Sequence, residues 1–162
     1  MRSPAHTFPT LLALMLFLCI VAAPASASVG FGWPLNPQPE VTEPFDLPAQ
    51  PWLPGHRGVD LAASDGQAVL SAGDGAVAFA GMVAGKPVVS IDHGSIRTTY
   101  EPVQATVSAG QTVQRGAQIG TVQAGHEGCS AVACLHWGAK RGDLYVDPLS
   151  LLEPRVVRLL PL

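Results

Sequence analysis

Three observations on the sequence predict an all-β domain with tight connections. Short apolar runs of strand length recur from about residue 56 onward. Glycines stand at or near the ends of these runs, where turns are expected. No window of a dozen residues carries an apolar stripe at helical spacing. The chain of 162 residues, 48% of them hydrophobic, is long enough for one core and indicates a single domain.

The predicted strands follow one another closely along the chain. In order they are AVLSA (68–72), AVAFAGMV (76–83), PVVSIDH (87–93), IRTTYEPV (96–103), TVSAGQTV (106–113), AQIGTV (117–122) and CLHWGAK (134–140). Asp147 and Pro148 then open a turn, residues 150–152 suit one helical turn, and residues 153–162 form a C-terminal tail that suits either a last strand or a frayed end.

The N-terminus reads as a secretory signal peptide over residues 1–27. A weakly basic start precedes the apolar run LLALMLFLCIVAA, and Ala25-Ser26-Ala27 forms an A-x-A cleavage signal. The run is short for a membrane span, so we expect secretion and a mature protein that is not embedded in a membrane. A retained N-terminal anchor is the alternative.

Residues 28–54 form a proline-rich arm with seven prolines. Proline at this density excludes a helix and most central strands. Trp33, Phe45 and Trp52 are interleaved with the prolines, so we expect an extended segment whose aromatic rings anchor it on the domain.

Charge and cysteine content narrow the classes of partner. Nine basic residues face 12 acidic ones, and no basic run indicates binding to nucleic acid or docking to an anionic membrane. Removal of the signal peptide takes Cys19 and leaves Cys129 and Cys134, an even pair in an oxidising compartment.

The stretch GHRGVDLAA (55–63) carries a candidate metal site. His56 and Asp60 are four residues apart around Gly58, and an extended chain places both on one face. Imidazole and carboxylate are standard zinc ligands, and His136 is the candidate third ligand. Three ligands leave one tetrahedral position open for water. An ordinary histidine–aspartate hydrogen bond and a packed histidine are the alternatives.

Several motifs in order resemble the lysostaphin-type (LytM-domain) zinc metallopeptidases. They are GHRGVDLAASDGQAVLSAGDGAVAFAG, VVSIDHGSIRTTYEPV, SAGQTVQRGAQIGTV and CLHWGAKRGDLYVDPLSLL. The resemblance covers residues 55–152. It implies a compact antiparallel β-sheet domain with a groove, zinc as cofactor, endopeptidase chemistry and peptidoglycan peptides as substrate.

Carried over by position, the resemblance places the three zinc ligands at His56, Asp60 and His136. The family also uses two histidines that are not ligands, and this sequence has Cys134 and Pro102 at those positions. Proline has neither a side-chain donor nor a backbone N–H.

Four further residues are weighed for a role at the candidate metal site. His126, in the loop GHEGCSAVAC, is a candidate to assist at the metal, and Tyr100 is a candidate to line the groove. Glu101 is set aside, because neighbours in a strand point to opposite faces. His93 is expected to be structural.

Cys134, where the family has a histidine, has three open roles. It can form a disulfide with Cys129, serve as a fourth zinc ligand, or act as a free acid or base.

Two functions follow from these residues and the resemblance. The leading hypothesis is a secreted zinc endopeptidase of peptidoglycan peptides, located in the cell wall or periplasm. The alternative is a catalytically inactive module that binds peptidoglycan or regulates a partner cell-wall hydrolase. The altered positions 102 and 134 favour the alternative, and the retained ligand set favours the enzyme.

Overall fold

Eleven β-strands and one short 3₁₀ helix make up the regular structure of residues 30–50, 52–126 and 128–152, which the computed structural model describes. The all-β, antiparallel prediction is confirmed. The predicted signal peptide and the tail after residue 152 lie outside the described residues. Within the described part, no helix is long and apolar enough to cross a membrane.

The strands are numbered along the chain. They are β1 (Val41–Glu43), β2 (Gly58–Ala63), β3 (Ala68–Leu70), β4 (Gly75–Val83), β5 (Lys86–Asp92), β6 (Arg97–Glu101), β7 (Val103–Ala105), β8 (Thr112–Val113), β9 (Gln118–Val122), β10 (Ala133–Arg141) and β11 (Leu144–Val146). The 3₁₀ helix spans Pro148–Leu151, and the Asp147 side chain accepts a hydrogen bond from the Leu149 amide at its start.

Two sheets share the core. The larger sheet has the order β1-β2-β10-β6-β5-β4-β8, with β11 added beside β10, and the smaller has the order β3-β9-β7. One buried apolar cluster takes residues from both sheets, including Leu61 and Trp137 from the larger and Val69 and Ile119 from the smaller. The core therefore holds the two sheets together.

Strand alternation gives the larger sheet an apolar face and a polar one. In β2, Val59 and Leu61 belong to the core cluster and Asp60 lies between them. In β10, Leu135 and Trp137 belong to the core and His136 lies between them. Because successive side chains of a strand point to opposite faces, Asp60 and His136 are presented on the face away from the core.

Pro102 divides the predicted strand 96–103. β6 ends one residue before it and pairs with β5 and β10 in the larger sheet. β7 begins one residue after it and pairs with β9 in the smaller sheet. A residue without a backbone N–H suits the point where the chain leaves one ladder and enters another. The predicted strand 106–113 is wrong over most of its length, since only residues 112 and 113 are in β8.

The proline-rich segment is joined to the larger sheet through β1, an edge strand that pairs antiparallel with β2. Leu35 is 2% exposed, and Trp33 and Phe45 pack against the core. Trp52 is 78% exposed, so its predicted role as an anchor is wrong.

Leu35→Ala is expected to lower the free energy of unfolding by about 2–5 kcal/mol, because a buried leucine is replaced by a cavity. Trp52→Ala is the matched control in the same segment and is expected to change it by no more than about 0.5 kcal/mol. Urea denaturation followed by circular dichroism measures both. Equal effects of the two variants would contradict the structure of this segment.

Candidate metal centre

Three residues from two strands and a preceding bridge meet on the polar face of the larger sheet. Asp60 in β2 and His136 in β10 are directly paired across the strands. His56 precedes β2, where it forms an isolated antiparallel bridge with Asp46. The two backbone hydrogen bonds of this bridge, 2.9 and 2.8 Å long, hold His56 beside the sheet.

The potential ligand atoms of these residues are close together. His56 Nε2 lies 3.1 Å from Asp60 Oδ1 and 3.0 Å from His136 Nδ1. His136 Nδ1 lies 2.8 Å from the same Asp60 oxygen. Tetrahedral zinc with bonds of 2.0–2.1 Å holds neighbouring ligand atoms about 3.3 Å apart. The sequence-predicted ligand set is therefore brought together at a spacing that suits one zinc ion.

The hydrogen bonding of His56 also fits a cation at this point. His56 Nδ1 lies 2.8 Å from the Pro44 carbonyl oxygen, which only accepts, so Nδ1 carries the proton. In the neutral ring Nε2 then presents a lone pair, and it faces the Asp60 carboxylate, which also only accepts. A cation bound to both atoms would remove the repulsion between these two acceptors.

Asp60 is held ionised by its surroundings. Burial alone would raise the pKa of its carboxyl group, but the hydrogen bond with His136 and the charges of His126, His136 and His56 lower that pKa to about 2. The carboxyl group, in a residue that is 5% exposed, is therefore an anion at neutral pH, as a metal ligand must be.

Gly58 gives the His136 ring its space. A Cβ atom at position 58 would lie 2.5 Å from His136 Nε2 and 2.6 Å from the Trp137 carbonyl oxygen. The ring therefore packs against the backbone of β2, which requires glycine at this position.

Gly58→Ala is expected to weaken zinc binding about tenfold or more, because the added methyl group displaces a ligand ring. Competition with a chromophoric chelator measures the affinity. Ala62→Gly, in the same strand, is the control and is expected to cost about 0.5–1 kcal/mol of stability without a change in zinc affinity. Unchanged affinity in Gly58→Ala would contradict the assignment of His136 as a ligand.

His126 lies against the same carboxylate, from a loop that is distant in sequence. Its Nε2 is 2.9 Å from Asp60 Oδ2, and its ring centroid is 5.9 Å from that of His136. Because a carboxylate only accepts, His126 Nε2 carries a proton and donates to Asp60. The Nδ1 atom is buried and has no hydrogen-bond partner among the described residues. The structure thus places the predicted assisting histidine next to the candidate metal centre, and its role stays a prediction.

Cys134 is bonded to Cys129 in a disulfide with Cα atoms 5.7 Å apart. It is fully buried, and its sulfur lies 3.6 Å from the Thr42 hydroxyl. The proposed catalytic role of Cys134 as a free acid or base is wrong for this structure, as is its role as a thiolate ligand, because no thiol remains. The disulfide ring joins the start of β10 to the loop that carries His126.

Tyr100 does not line the groove, and this prediction is wrong. It is fully buried in the core, where its hydroxyl accepts a hydrogen bond from the Ala72 amide at 3.0 Å and lies 2.9 Å from the Thr98 hydroxyl. His93 completes this internal network through Thr98, as its expected structural role requires. Tyr100 pairs across the strands with Trp137, so it points to the core face.

Burial raises the pKa of Tyr100 to about 12, against the lowering effect of its hydrogen bonds. The unfolded chain loses this proton near pH 10 and the folded chain does not, so stability is expected to fall by up to about 3 kcal/mol between pH 10 and 12. Tyr100→Phe is expected to remove this pH dependence. It is also expected to lower the free energy of unfolding by about 1–2 kcal/mol at neutral pH. Denaturation at pH 8 and 11 measures both effects, with the more exposed Tyr145→Phe as control. The same pH dependence in wild type and Tyr100→Phe would contradict this account.

A groove of about 650 Å³ opens over the candidate metal centre. Besides the three candidate ligands and His126, it is lined by Glu43, Asp46, Gly55, Arg57, Lys86, Glu101 and Gly128. Glu101 was set aside in the sequence, yet it lines the groove because it is paired across the strands with His136. Pro102, its neighbour, is buried. Only the register between β6 and β10 could have identified Glu101.

An antiparallel sheet with a groove over two histidines and one aspartate defines a domain with a candidate metal centre. The model of the family described as "Peptidase family M23" matches residues 54–148. The chain belongs to this peptidase family.

Relatives and solved structures agree with this assignment. An uncharacterized protein of Mycobacterium tuberculosis is 52% identical over 157 residues, which cover 91% of this chain and 63% of the relative. An uncharacterized metalloprotease of Haemophilus influenzae is 32% identical over 130 residues, covering 75% of this chain and 27% of the relative. The chain therefore spans less than two thirds of the length of these relatives.

Among solved structures, Helicobacter pylori Csd3 is similar with a TM-score of 0.61 and 26% identity, covering 83% of this chain and 37% of that one. A zinc-containing peptidase from Vibrio cholerae has a TM-score of 0.60 and 28% identity, covering 72% of this chain and 38% of that one. Lysostaphin, at 22% identity and a TM-score of 0.56 over 68% of this chain and 49% of its own, shares the fold.

Proposed function

We propose that this chain is a secreted zinc-dependent endopeptidase that acts on peptidoglycan peptides in the cell wall or periplasm. The convergence of one ligand atom each from His56, Asp60 and His136, all within 4.8 Å of one another, carries the proposal. Family membership supports the peptidase chemistry. The signal-like N-terminus and the disulfide support an extracytoplasmic site.

Zinc held by these three residues would supply a water of lowered pKa and polarise the scissile carbonyl group. Other groups of the chain orient the histidine rings at this site. The Pro44 carbonyl oxygen fixes the proton of His56 on Nδ1 and leaves Nε2 for the metal. Asp60 in turn accepts a hydrogen bond from His126 Nε2 and holds this ring beside the candidate metal centre. His126 is therefore the candidate to assist at the metal, a task that Pro102 and Cys134 cannot perform.

Incubation of the purified chain with cross-linked peptidoglycan, with and without a zinc chelator, tests the proposal. We expect fragments with new free amino and carboxyl ends in mass spectra, and we expect them to vanish with chelator. Cleavage that persists in chelator would contradict the zinc mechanism. Absence of cleavage across pH values and wall types would contradict the enzyme.

A second candidate function is a non-catalytic module that holds peptidoglycan or regulates another cell-wall hydrolase through the same groove. The buried Pro102 and the disulfide-bonded Cys134 favour it, because two positions that assist catalysis in similar peptidases carry no titratable group here. Wall binding that persists in His136→Ala, with no cleavage by either form, would support this candidate. Binding that depends on His136 together with zinc-dependent cleavage would exclude it.

A further inference from the structure

Two cysteines attach the loop of His126 to the strand that carries His136. The loop connects β9 to β10, and the disulfide joins Cys129 in the loop to Cys134 in β10. Cys134 stands two residues before His136, so both side chains leave the same face of the strand. The loop is therefore covalently bound next to the candidate metal centre.

The strand end of this disulfide is anchored in the larger sheet. Cys134 is fully buried and is paired with Ala62 of β2. Its sulfur also lies 3.6 Å from the hydroxyl group of Thr42 in β1. Because the Cα atoms of the two cysteines are 5.7 Å apart, the sheet determines where Cys129 lies.

The loop has few other links to the rest of the chain. Before His126, the Ala124 amide donates a hydrogen bond of 2.9 Å to the Asp65 carboxylate. Beyond Ala124, the described part of the loop has one hydrogen bond that leaves it, from His126 to Asp60, and one covalent link, the disulfide. His126 therefore lies between a hydrogen-bonded residue two positions before it and the disulfide three positions after it.

Burial of apolar surface does not hold this loop in place. None of its described residues belongs to the core cluster, and Val132 is 85% exposed. A segment that buries little apolar surface opens at a low cost in free energy. The bond at Cys129 shortens the segment between fixed ends from residues 123–132 to residues 123–128, which lowers the conformational freedom of His126.

We infer that the disulfide between Cys129 and Cys134 is a positioning element, which holds His126 against Asp60 and acts on the proposed reaction only through His126. The LytM-type peptidases that the sequence resembles have an assisting histidine at the position of Cys134. In this chain the same position instead anchors a loop that brings a histidine from elsewhere. The kinetic part of the inference rests on the proposed function, and the position of His126 does not.

Nuclear magnetic resonance tests the position of His126 without any measurement of activity. The ring centroids of His126 and His136 are 5.9 Å apart, which is close enough for a nuclear Overhauser effect between their ring protons. The double variant Cys129→Ala and Cys134→Ala lacks the disulfide and leaves no thiol beside the candidate ligands. We expect the Overhauser effect in the wild type and its loss in the double variant. Cys129→Ala alone keeps the buried Cys134 side chain in β10 and is expected to show the same loss.

Leu35→Ala is the matched control, because it destabilises the fold without a change in the loop. It is expected to keep the Overhauser effect. Loss of the effect in Leu35→Ala as well would show that the contact follows overall stability, and it would overturn the inference. Persistence of the effect in both cysteine variants, or its absence from the wild type, would also overturn it.

Kinetic measurements test whether the disulfide acts through His126. The double cysteine variant is expected to lower kcat about tenfold to a hundredfold, because a misplacement of about 1 Å can already cost about a hundredfold in rate. Its zinc affinity is expected to stay the same, since the three candidate ligands lie outside the loop. In a His126→Ala background, removal of the disulfide is expected to cause no further loss. An equally large further loss in that background would refute action through His126.

The two measurements separate this inference from the proposed function. Loss of the Overhauser effect in the cysteine variants, without zinc-dependent cleavage by the wild type, would support the positioning role and contradict the endopeptidase. Zinc-dependent cleavage at the wild-type rate by a cysteine variant that retains the Overhauser effect would do the reverse.

Discussion

His136→Ala is expected to weaken zinc binding by more than about a hundredfold and to abolish chelator-sensitive release of peptidoglycan fragments. Its Nδ1 atom is 2.8 Å from Asp60 Oδ1 and 3.0 Å from His56 Nε2, so its removal leaves two ligands where three converge. Loss of a mere hydrogen-bond partner of a ligand already costs about ten- to a hundredfold. Equilibrium dialysis with zinc and mass spectra of the released fragments measure the two effects.

The comparison for this variant is Asp143→Asn, which alters an exposed carboxylate outside the groove. It is expected to leave zinc affinity and fragment release unchanged. Circular dichroism is expected to show the same sheet content in both variants, since the His136 side chain lies on the polar face and the core residues Leu135 and Trp137 are retained. Full zinc affinity in His136→Ala would refute the ligand assignment.

His126→Ala is expected to lower kcat about a hundredfold or more at saturating zinc, with little change in KM. Its Nε2 lies 2.9 Å from Asp60 Oδ2, beside the candidate metal centre, and a positioned proton-transfer group contributes about 10²- to 10⁴-fold. A residue that acts only in the transition state changes kcat more than KM. Steady-state hydrolysis of a defined cross-linked muropeptide gives both constants.

Ser130→Ala is the matched control for the loop, because its exposed side chain has no hydrogen bond among the described residues. It is expected to match the wild type in both constants. If His126→Ala is as active as the wild type, another group assists the reaction. If KM rises and kcat stays the same, His126 binds substrate and does not act on the attacking water.

Local patterns in the chain were enough for the β class, whereas the candidate ligand set was indicated by local spacing together with the family resemblance. The glycine-separated runs predicted most of the strands correctly, and the i, i+4 spacing of His56 and Asp60 in an extended segment placed both on one face. An even pair of cysteines in a chain predicted to be secreted favours a disulfide, and Cys129 and Cys134 form one, although the sequence left the other roles of Cys134 open. These features depend on alternation and composition, which are local properties.

Other features required the register between strands that are far apart in sequence. Tyr100 is in the core and Glu101 in the groove because β6 is paired with β10 so that Tyr100 meets Trp137 and Glu101 meets His136. A shift by one residue would exchange the two faces, and nothing within residues 96–103 distinguishes the alternatives.

Glu43, Asp60, His136 and Glu101 lie on four neighbouring strands in the order β1, β2, β10 and β6, whose order along the chain is different. His126 reaches Asp60 across 66 positions of sequence. The strand pattern follows from alternation along single segments, and the candidate metal ligands were indicated by the spacing of His56 and Asp60 and by the family resemblance. The surroundings of the ligands follow from which segments become neighbours, because cross-strand pairing, and not sequence distance, brings their side chains together.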